Sequence, residues 1–385
     1  MKHINKNVIM LGWVSYFTDM ASAMIMPILP IFVVIVLDEG MDKLGIIVAI
    51  STFASYALRL VSGYISDRYG IVKPLVVGGY AFSALSKPLI GFTQGYKTVA
   101  GLQVAERLGK GLRSAPKDVM IVQYIRAHAS GKTFGFHKMM DIAGELSGAL
   151  ILFALLWYFG QSETVMRNIF YATFVPGIIG LVIVTFFVRD VPKPMTQSQQ
   201  SFTLTQDDKK TIGALFFYFL FLLFAFNPSF FTMQAKAVGI ATAVIPLLFV
   251  VSSGVQTLSS YIFGILIDRF GVKRVLAFSY ACGAAAQGSL MLQSPFFTWI
   301  SYVFLGLFTV ASLNANRAFI AQSATNKGSV YGIFYAGVAL FGALGAYISG
   351  LIWEHMNMKI ALVYAFSGTL ALTLFFLLMK GRHEN

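Results

Sequence analysis

The chain contains a single cysteine, Cys282, so no disulfide can form within it. The spacings H-E-x-x-H and G-x-S-x-G are both missing. Gly131-Lys132-Thr133 resembles only the tail of a P-loop, with Arg126 where the earlier glycine would stand and no strand before it. An enzyme is therefore not expected, and neither is a metal or a cofactor. Charge is scarce as well: 12% of residues are charged, against about a quarter in soluble domains. Acidic residues are scarcer still, 16 against 29 basic, for a formal charge of +13. The basic residues are scattered over many short loops, so they read as a topology signal and nucleic acid is not an expected partner.

What fills the chain instead is apolar: 57% hydrophobic residues, 36 Phe among them, and a mean hydropathy of +0.73. That composition places the chain in a lipid bilayer. Apolar runs fall at roughly 8–36, 44–65, 74–95, 97–115, 134–159, 168–188, 210–234, 240–265, 273–293, 296–320, 330–353 and 358–379. A hydrocarbon core of about 30 Å needs about 20 residues per helix, so these runs predict twelve crossings. Strands of about ten residues with alternating polarity, the mark of a transmembrane barrel, do not occur. The first run is expected to be retained as a helix, being too long for a signal peptide and carrying Asp19, Pro27 and Pro30. Loops on the N-terminal side of the membrane carry most of the Lys and Arg, which places both termini in the cytoplasm.

The polar segment at residues 191–209 divides the runs six and six. The expected organisation is thus a bundle at 1–190, a cytoplasmic linker at 191–209 and a second bundle at 210–385. A repeat supports the division: Gly63-Tyr64-Ile65-Ser66-Asp67-Arg68-Tyr69-Gly70 recurs 201 positions later as Gly264-Ile265-Leu266-Ile267-Asp268-Arg269-Phe270-Gly271. Duplicated halves of this kind are typical of secondary transporters.

These two stretches, "GYISDRYGIVK" and "GILIDRFGVKR", resemble the signature loop of the major facilitator superfamily, G-x-x-x-D-R-x-G-x-[KR]-[KR]. The resemblance implies an all-α membrane protein of 12 transmembrane helices in two pseudo-symmetric six-helix bundles. It also implies a conformational latch at Gly63, Asp67, Arg68, Gly70, Lys73, Asp268 and Arg269. "ERLGKG" resembles the superfamily's fourth-helix motif, which makes Arg107 the expected residue of proton coupling. The stretches "YFTDMASAMIMPILPIF", "RLGKGLRSAPKD" and "GFHKMMD" are similar to a prokaryotic branch in which Glu usually stands where this chain has Ala23. Helix 5 keeps the Gly144/Gly148 pair but lacks the proline that the antiporters' motif carries there.

Charges deep in the apolar runs cost at least about 2.5–3.5 kcal/mol each and normally face a bundle interior or water. Glu106, Lys110, Arg113 and Lys117 follow each other at four, three and four residues along one helical stripe. Lys138, Asp141 and Glu145 line a stripe of the next run, with Asp141 expected near the depth of Arg113 or Lys110. Pro116 is expected to end the fourth helix, leaving Lys117 and Asp118 in a loop. The proposed proton-coupling set is Asp19, Arg107, Asp141, Glu145 and Glu106. The proposed substrate-binding set is Lys110, Arg113, Arg59, Asn227, Gln256, Asn314 and Arg317, with Asn227 and Pro228 interrupting the seventh helix. This balance suits a small anionic solute: an organic acid, a carboxylate-type siderophore or a phosphorylated metabolite. The expected protein works as a monomer with protons and the lipid bilayer as its other partners. The alternatives are multidrug efflux, which wants a more acidic cavity, and a membrane sensor, whose output domain the short tails are not expected to hold.

Overall fold

The computed structural model describes residues 5–69, 71–124, 130–191 and 204–381. Twelve long helical stretches account for nearly all of them. They are α1 Lys6–Val36, α2 Met41–Tyr69, α3 Lys73–Phe92, α4 Tyr96–Gln123, α5 Ser130–Phe159 and α6 Glu163–Phe187 in the first half. The second half holds α7 Gln206–Ala237, α8 Ile245–Phe270, α9 Val272–Met291, α10 Pro295–Ser323, α11 Lys327–His355 and α12 Met358–Gly381. Every apolar run lies on one of these helices. The reason is that a lipid core offers no water to backbone N–H and C=O groups, so each crossing must bond to itself. Among the described residues nine helices are long and apolar enough to cross a membrane; α4 falls short because it is loaded with charge.

By contacts the chain divides into two units, Met1–Glu39 with Ile50–Gln200, and Gly40–Ala49 with Ser201–Asn385. The start of α2 thus falls with the second unit. Within the first unit the most extensive helix pairs are α1 with α5 and α3 with α4; within the second they are α9 with α10 and α8 with α10, followed by α7 with α11 and α9 with α12. Two of these, α7 with α11 and α9 with α10, are the first unit's leading pairs displaced by six helices.

The tightest contact of the first unit is set by two glycines. A Cβ built on Gly144 would meet the carbonyl oxygen of Tyr16, and one on Gly148 that of Met20, so α1 and α5 touch backbone to backbone. Gly345 of α11 plays the same part against α7, where a Cβ would lie 2.6 Å from the Leu222 oxygen.

Two breaks differ in cause. Pro228 lacks an N–H and interrupts α7 after Phe224; the chain restarts at Pro228–Ala237 with the Asn227 side chain accepting from the Ser229 N–H at 3.0 Å. Pro116, by contrast, does not end α4, which runs on to Gln123. It leaves only the Leu112 carbonyl without its usual donor, and the rest of the ladder carries the helix past it. The expectation of a loop at Lys117 is therefore corrected.

At the start of α7, Asp208 is buried and joins two segments. Its Oδ2 accepts from the Thr205 N–H and hydroxyl at 2.9 and 2.8 Å, and its Oδ1 from the Thr325 and Asn326 N–H groups at 2.9 and 3.0 Å. Asp208→Ala is expected to lower the melting temperature in detergent more than Asp208→Asn, which keeps one acceptor oxygen. Equal melting of both variants and wild type would mean that water replaces these bonds freely.

Candidate functional site

The charged stripe of α4 meets α1, α3 and α5 inside the first unit. Lys87 of α3 is 2% exposed, and its Nζ sits 3.9 Å from Glu106 Oε1 while donating to the Thr18 carbonyl of α1 at 3.3 Å. Glu106 also accepts from the Ser83 hydroxyl at 3.3 Å and pairs with Arg107 Nε at 3.4 Å. Arg107 is the more open partner, with 28% of its side chain exposed against 6% for Glu106. Glu106 therefore sits between a buried ammonium and a partly solvated guanidinium.

Three residues further, Lys110 is exposed on α4. Arg113 is buried, its guanidinium 4.5 Å over the Tyr80 ring. Its Nη1 and the Tyr80 hydroxyl make no hydrogen bond, and no carboxylate lies within ion-pair distance of Arg113 among the described residues. A cation over a ring face gains about 2 kcal/mol when desolvated, which does not offset the burial of a full charge.

Lys117, one turn further on, is drawn into the interior. Its Nζ donates to Ser15 Oγ of α1 at 3.2 Å, and Ser15 Oγ is 3.2 Å from His137 Nε2 of α5. His137 Nδ1 lies 3.4 Å from Asp141 Oδ1, and Lys138, largely exposed, stands 3.9 Å from Asp141 Oδ2. Asp141 interacts with Lys117, one turn beyond the Arg113 or Lys110 depth expected from the sequence. Asp19, half-buried on α1, interacts electrostatically with Lys87, Lys110, Lys117, His137 and Glu145. The charges of α3, α4 and α5 thus surround one carboxylate on α1.

Ser15, Tyr80, Ser83 and the roles of Lys87 and His137 escaped the sequence reading. A signal existed: Tyr80, Ser83 and Lys87 stand at i, i+3 and i+7 on α3, and Ser15 and Asp19 at i and i+4 on α1. Neutral polar residues are common in apolar helices, however, and only the neighbouring helix tells which of them matter.

The second unit is less charged, and its candidates do not gather. Asn227 uses its side-chain oxygen to cap the second half of α7. Gln256 donates to Ser252 on its own helix at 3.4 Å. Asn314 reaches the Ser260 carbonyl at 3.2 Å, and exposed Arg317 donates to the Tyr335 hydroxyl at 3.0 Å. Gln234, fully buried, bridges the Leu290 carbonyl and the Thr298 hydroxyl. Phe226, Phe230 and Phe231 are buried against Trp353 and Tyr302 as core.

Of the latch residues, Gly70 lies outside the described residues, as do the side chains of Gly63, Asp67 and Arg68; so does that of Arg59. Lys73 donates through Nζ to the Thr185 carbonyl at 2.9 Å, at the end of α6. In the second copy Asp268 and Arg269 are exposed, and Gly271 has a φ of 82°, the left-handed turn that the repeat's glycine is there to permit.

Comparison with known proteins agrees with this architecture. The sequence model described as Major Facilitator Superfamily matches residues 11–234 and 211–385. An uncharacterised MFS-type transporter of Methanocaldococcus jannaschii is 27% identical over 366 residues, covering 92% of this chain and 90% of its own. The multidrug resistance protein MdtH of Photorhabdus laumondii is 28% identical over 160 residues, 40% of either chain. Among solved structures, the nucleoside transporter NupG superposes with a TM-score of 0.80 at 15% identity, over 97% of this chain and 99% of its own. The family's sequence model, matched twice and together spanning nearly the whole chain, makes this protein a member of the major facilitator superfamily, a multi-pass membrane transporter.

Proposed function

We propose that this protein is a secondary active transporter that carries a small, polar, anionic solute across a prokaryotic inner membrane by alternating access, with protons as the coupling ion. The organisation proposed is the one read from the sequence: bundles at 1–190 and 210–385 around a cytoplasmic linker, with both termini cytoplasmic. The observation that carries the reading is Arg113: a buried guanidinium with an unbonded nitrogen over a tyrosine ring, with no carboxylate within ion-pair distance among the described residues and Glu106 acting on it only at longer range. A buried charge is retained where it has work to do, and an anion is what a lone guanidinium binds best, through a planar fork that fits a carboxylate or phosphate. On the charged stripes of α1 and α3–α5, Lys87, Arg107, Lys110, Arg113, Lys117 and Lys138 outnumber Asp19, Glu106, Asp141 and Glu145. Candidate solutes are organic acids, carboxylate-type siderophores and phosphorylated metabolites, and Arg317 beside Tyr335 supplies a further cation in the second unit.

The test is a flux assay in proteoliposomes with an imposed pH gradient and a mixed pool of organic anions, siderophores and cationic drugs, read by mass spectrometry. Anions should accumulate, and Arg113→Gln should reduce their flux at least tenfold while the protein stays monodisperse. Unchanged flux in Arg113→Gln would overturn the site. A second reading, multidrug efflux, is favoured by the similarity to MdtH over 40% of the chain; transport of several unrelated lipophilic cations would replace the first reading with it.

A further inference from the structure

Donor chemistry fixes the first bond of the Lys117–Ser15–His137 chain, and the direction of the second is assigned from it. An ammonium has donors and no acceptor, so Lys117 Nζ donates to Ser15 Oγ. The Ser15 hydroxyl then has its own hydrogen to give, and the neighbour 3.2 Å away is His137 Nε2. An Nε2 that accepts leaves the ring proton on Nδ1, on the side of Asp141 Oδ1 at 3.4 Å. This Oδ1 is buried and makes no hydrogen bond, so it stands ready for a stronger donor than the one it faces. The chain runs from a cation on α4, through α1, to a carboxylate on α5.

We infer that Lys117 and a proton on His137 compete for this one seat between Ser15 and Asp141, so that the departure of Lys117 makes His137 the proton-carrying group of the transport cycle. Protonation at Nε2 reverses the Ser15 bond: the imidazolium donates to Ser15 Oγ, which would then hold two cations on one oxygen. The ring and the ammonium are each 3.2 Å from that atom, too close together for both charges even with Asp141 and Asp19 nearby. The other charges facing the ring are Asp19 on α1 and Lys138 on its own helix, and neither replaces the ammonium at Ser15. When Lys117 leaves, a water-borne proton adds to the Nε2 lone pair and restores the positive charge that Asp141 and Asp19 had lost. When Lys117 returns, that proton is released to water.

This rests on the proposed anion transport and gives it a coupling step: an anionic solute that draws Lys117 toward itself admits one proton at His137. Solute and proton would then travel together.

The test separates the two claims. Protein labelled with ¹⁵N-histidine and reconstituted in nanodiscs is titrated by NMR, with His137→Gln identifying the His137 signals. In the wild type His137 should stay neutral with its proton on Nδ1 from about pH 8 to about pH 5.5, while in Lys117→Gln it should charge near the ordinary imidazole value of about 6.5. Lys117→Arg should restore the wild-type behaviour, and Ser15→Ala, which removes the seat and keeps the charge, should also raise the pH at which His137 charges. Identical titration in wild type, Lys117→Gln and Ser15→Ala, or a wild-type ring proton on Nε2, would overturn the inference. In proteoliposomes carrying an organic-anion pool and a pH-sensitive dye, anion-driven proton movement that survives His137→Gln would overturn it while leaving anion transport standing. If the NMR shifts occur but no anion moves, the competition for the seat stands and the anion reading falls.

Discussion

Glu106→Gln should destabilise the protein by about 3–5 kcal/mol, the usual cost of breaking a buried ion pair from one side. Glu106 is the only carboxylate within ion-pair distance of Lys87 among the described residues, and Lys87 is 2% exposed. Arg107 loses the same partner but has 28% of its side chain in contact with solvent, so its share of the cost is small. Lys87 is different: its remaining bond, to the Thr18 carbonyl at 3.3 Å, does not compensate an ammonium buried among helices. The double replacement Lys87→Met/Glu106→Leu removes both charges and should recover most of the loss, because a buried pair is worth little more than apolar side chains of similar size. Thermal unfolding in detergent reads both outcomes. Should Glu106→Gln melt with the wild type, Lys87 must be hydrated in the folded protein and the buried-pair description is wrong. The double variant should also fail to transport despite its stability, because Arg107, the residue the family resemblance singles out, loses the carboxylate that orients it.

Leucine at Gly144 or Gly148 should leave no monodisperse protein. A single added carbon at either position already meets a main-chain oxygen of α1, that of Tyr16 or Met20, and a backbone cannot rotate away as a side chain can. Alanine at these sites should cost about 1–3 kcal/mol, the ordinary range for overpacking. Gly101 of α4 is the control: nothing lies within 4 Å of a Cβ built there, so alanine should be neutral or stabilising by up to about 1 kcal/mol. Yield and melting temperature in detergent decide it. Normal behaviour of Gly148→Leu would show that α1 and α5 separate without loss, and the polar chain from Ser15 to His137 would lose its rigid support.

Reading the residues in order recovers some of this site and misses the rest for identifiable reasons. The α4 stripe of Glu106, Lys110, Arg113 and Lys117 follows from helical spacing, and the depth of its first members follows from the length of the apolar run. Lys117 was misplaced because a proline was weighed as a helix end, whereas α4 loses one bond at Pro116 and continues. Asn227 is legible as standing beside a break, but only the structure shows that its side-chain oxygen caps the restarted helix. Tyr80 and Ser15 stand at helical spacing with Lys87 and Asp19, but their own helices do not tell which neighbouring groups they meet.

What the sequence by itself determined is the number of helices, their apolar character, the duplication and the family, because bilayer thickness and backbone hydrogen bonding act on each segment alone. Which charges share a pocket was decided only by the tertiary structure. Lys87 meets Glu106 because α3 lies against α4, and Ser15 meets His137 because two glycines let α1 and α5 touch. A charge in low dielectric is defined by its neighbours within a few ångströms, and those neighbours come from helices that are far apart along the chain.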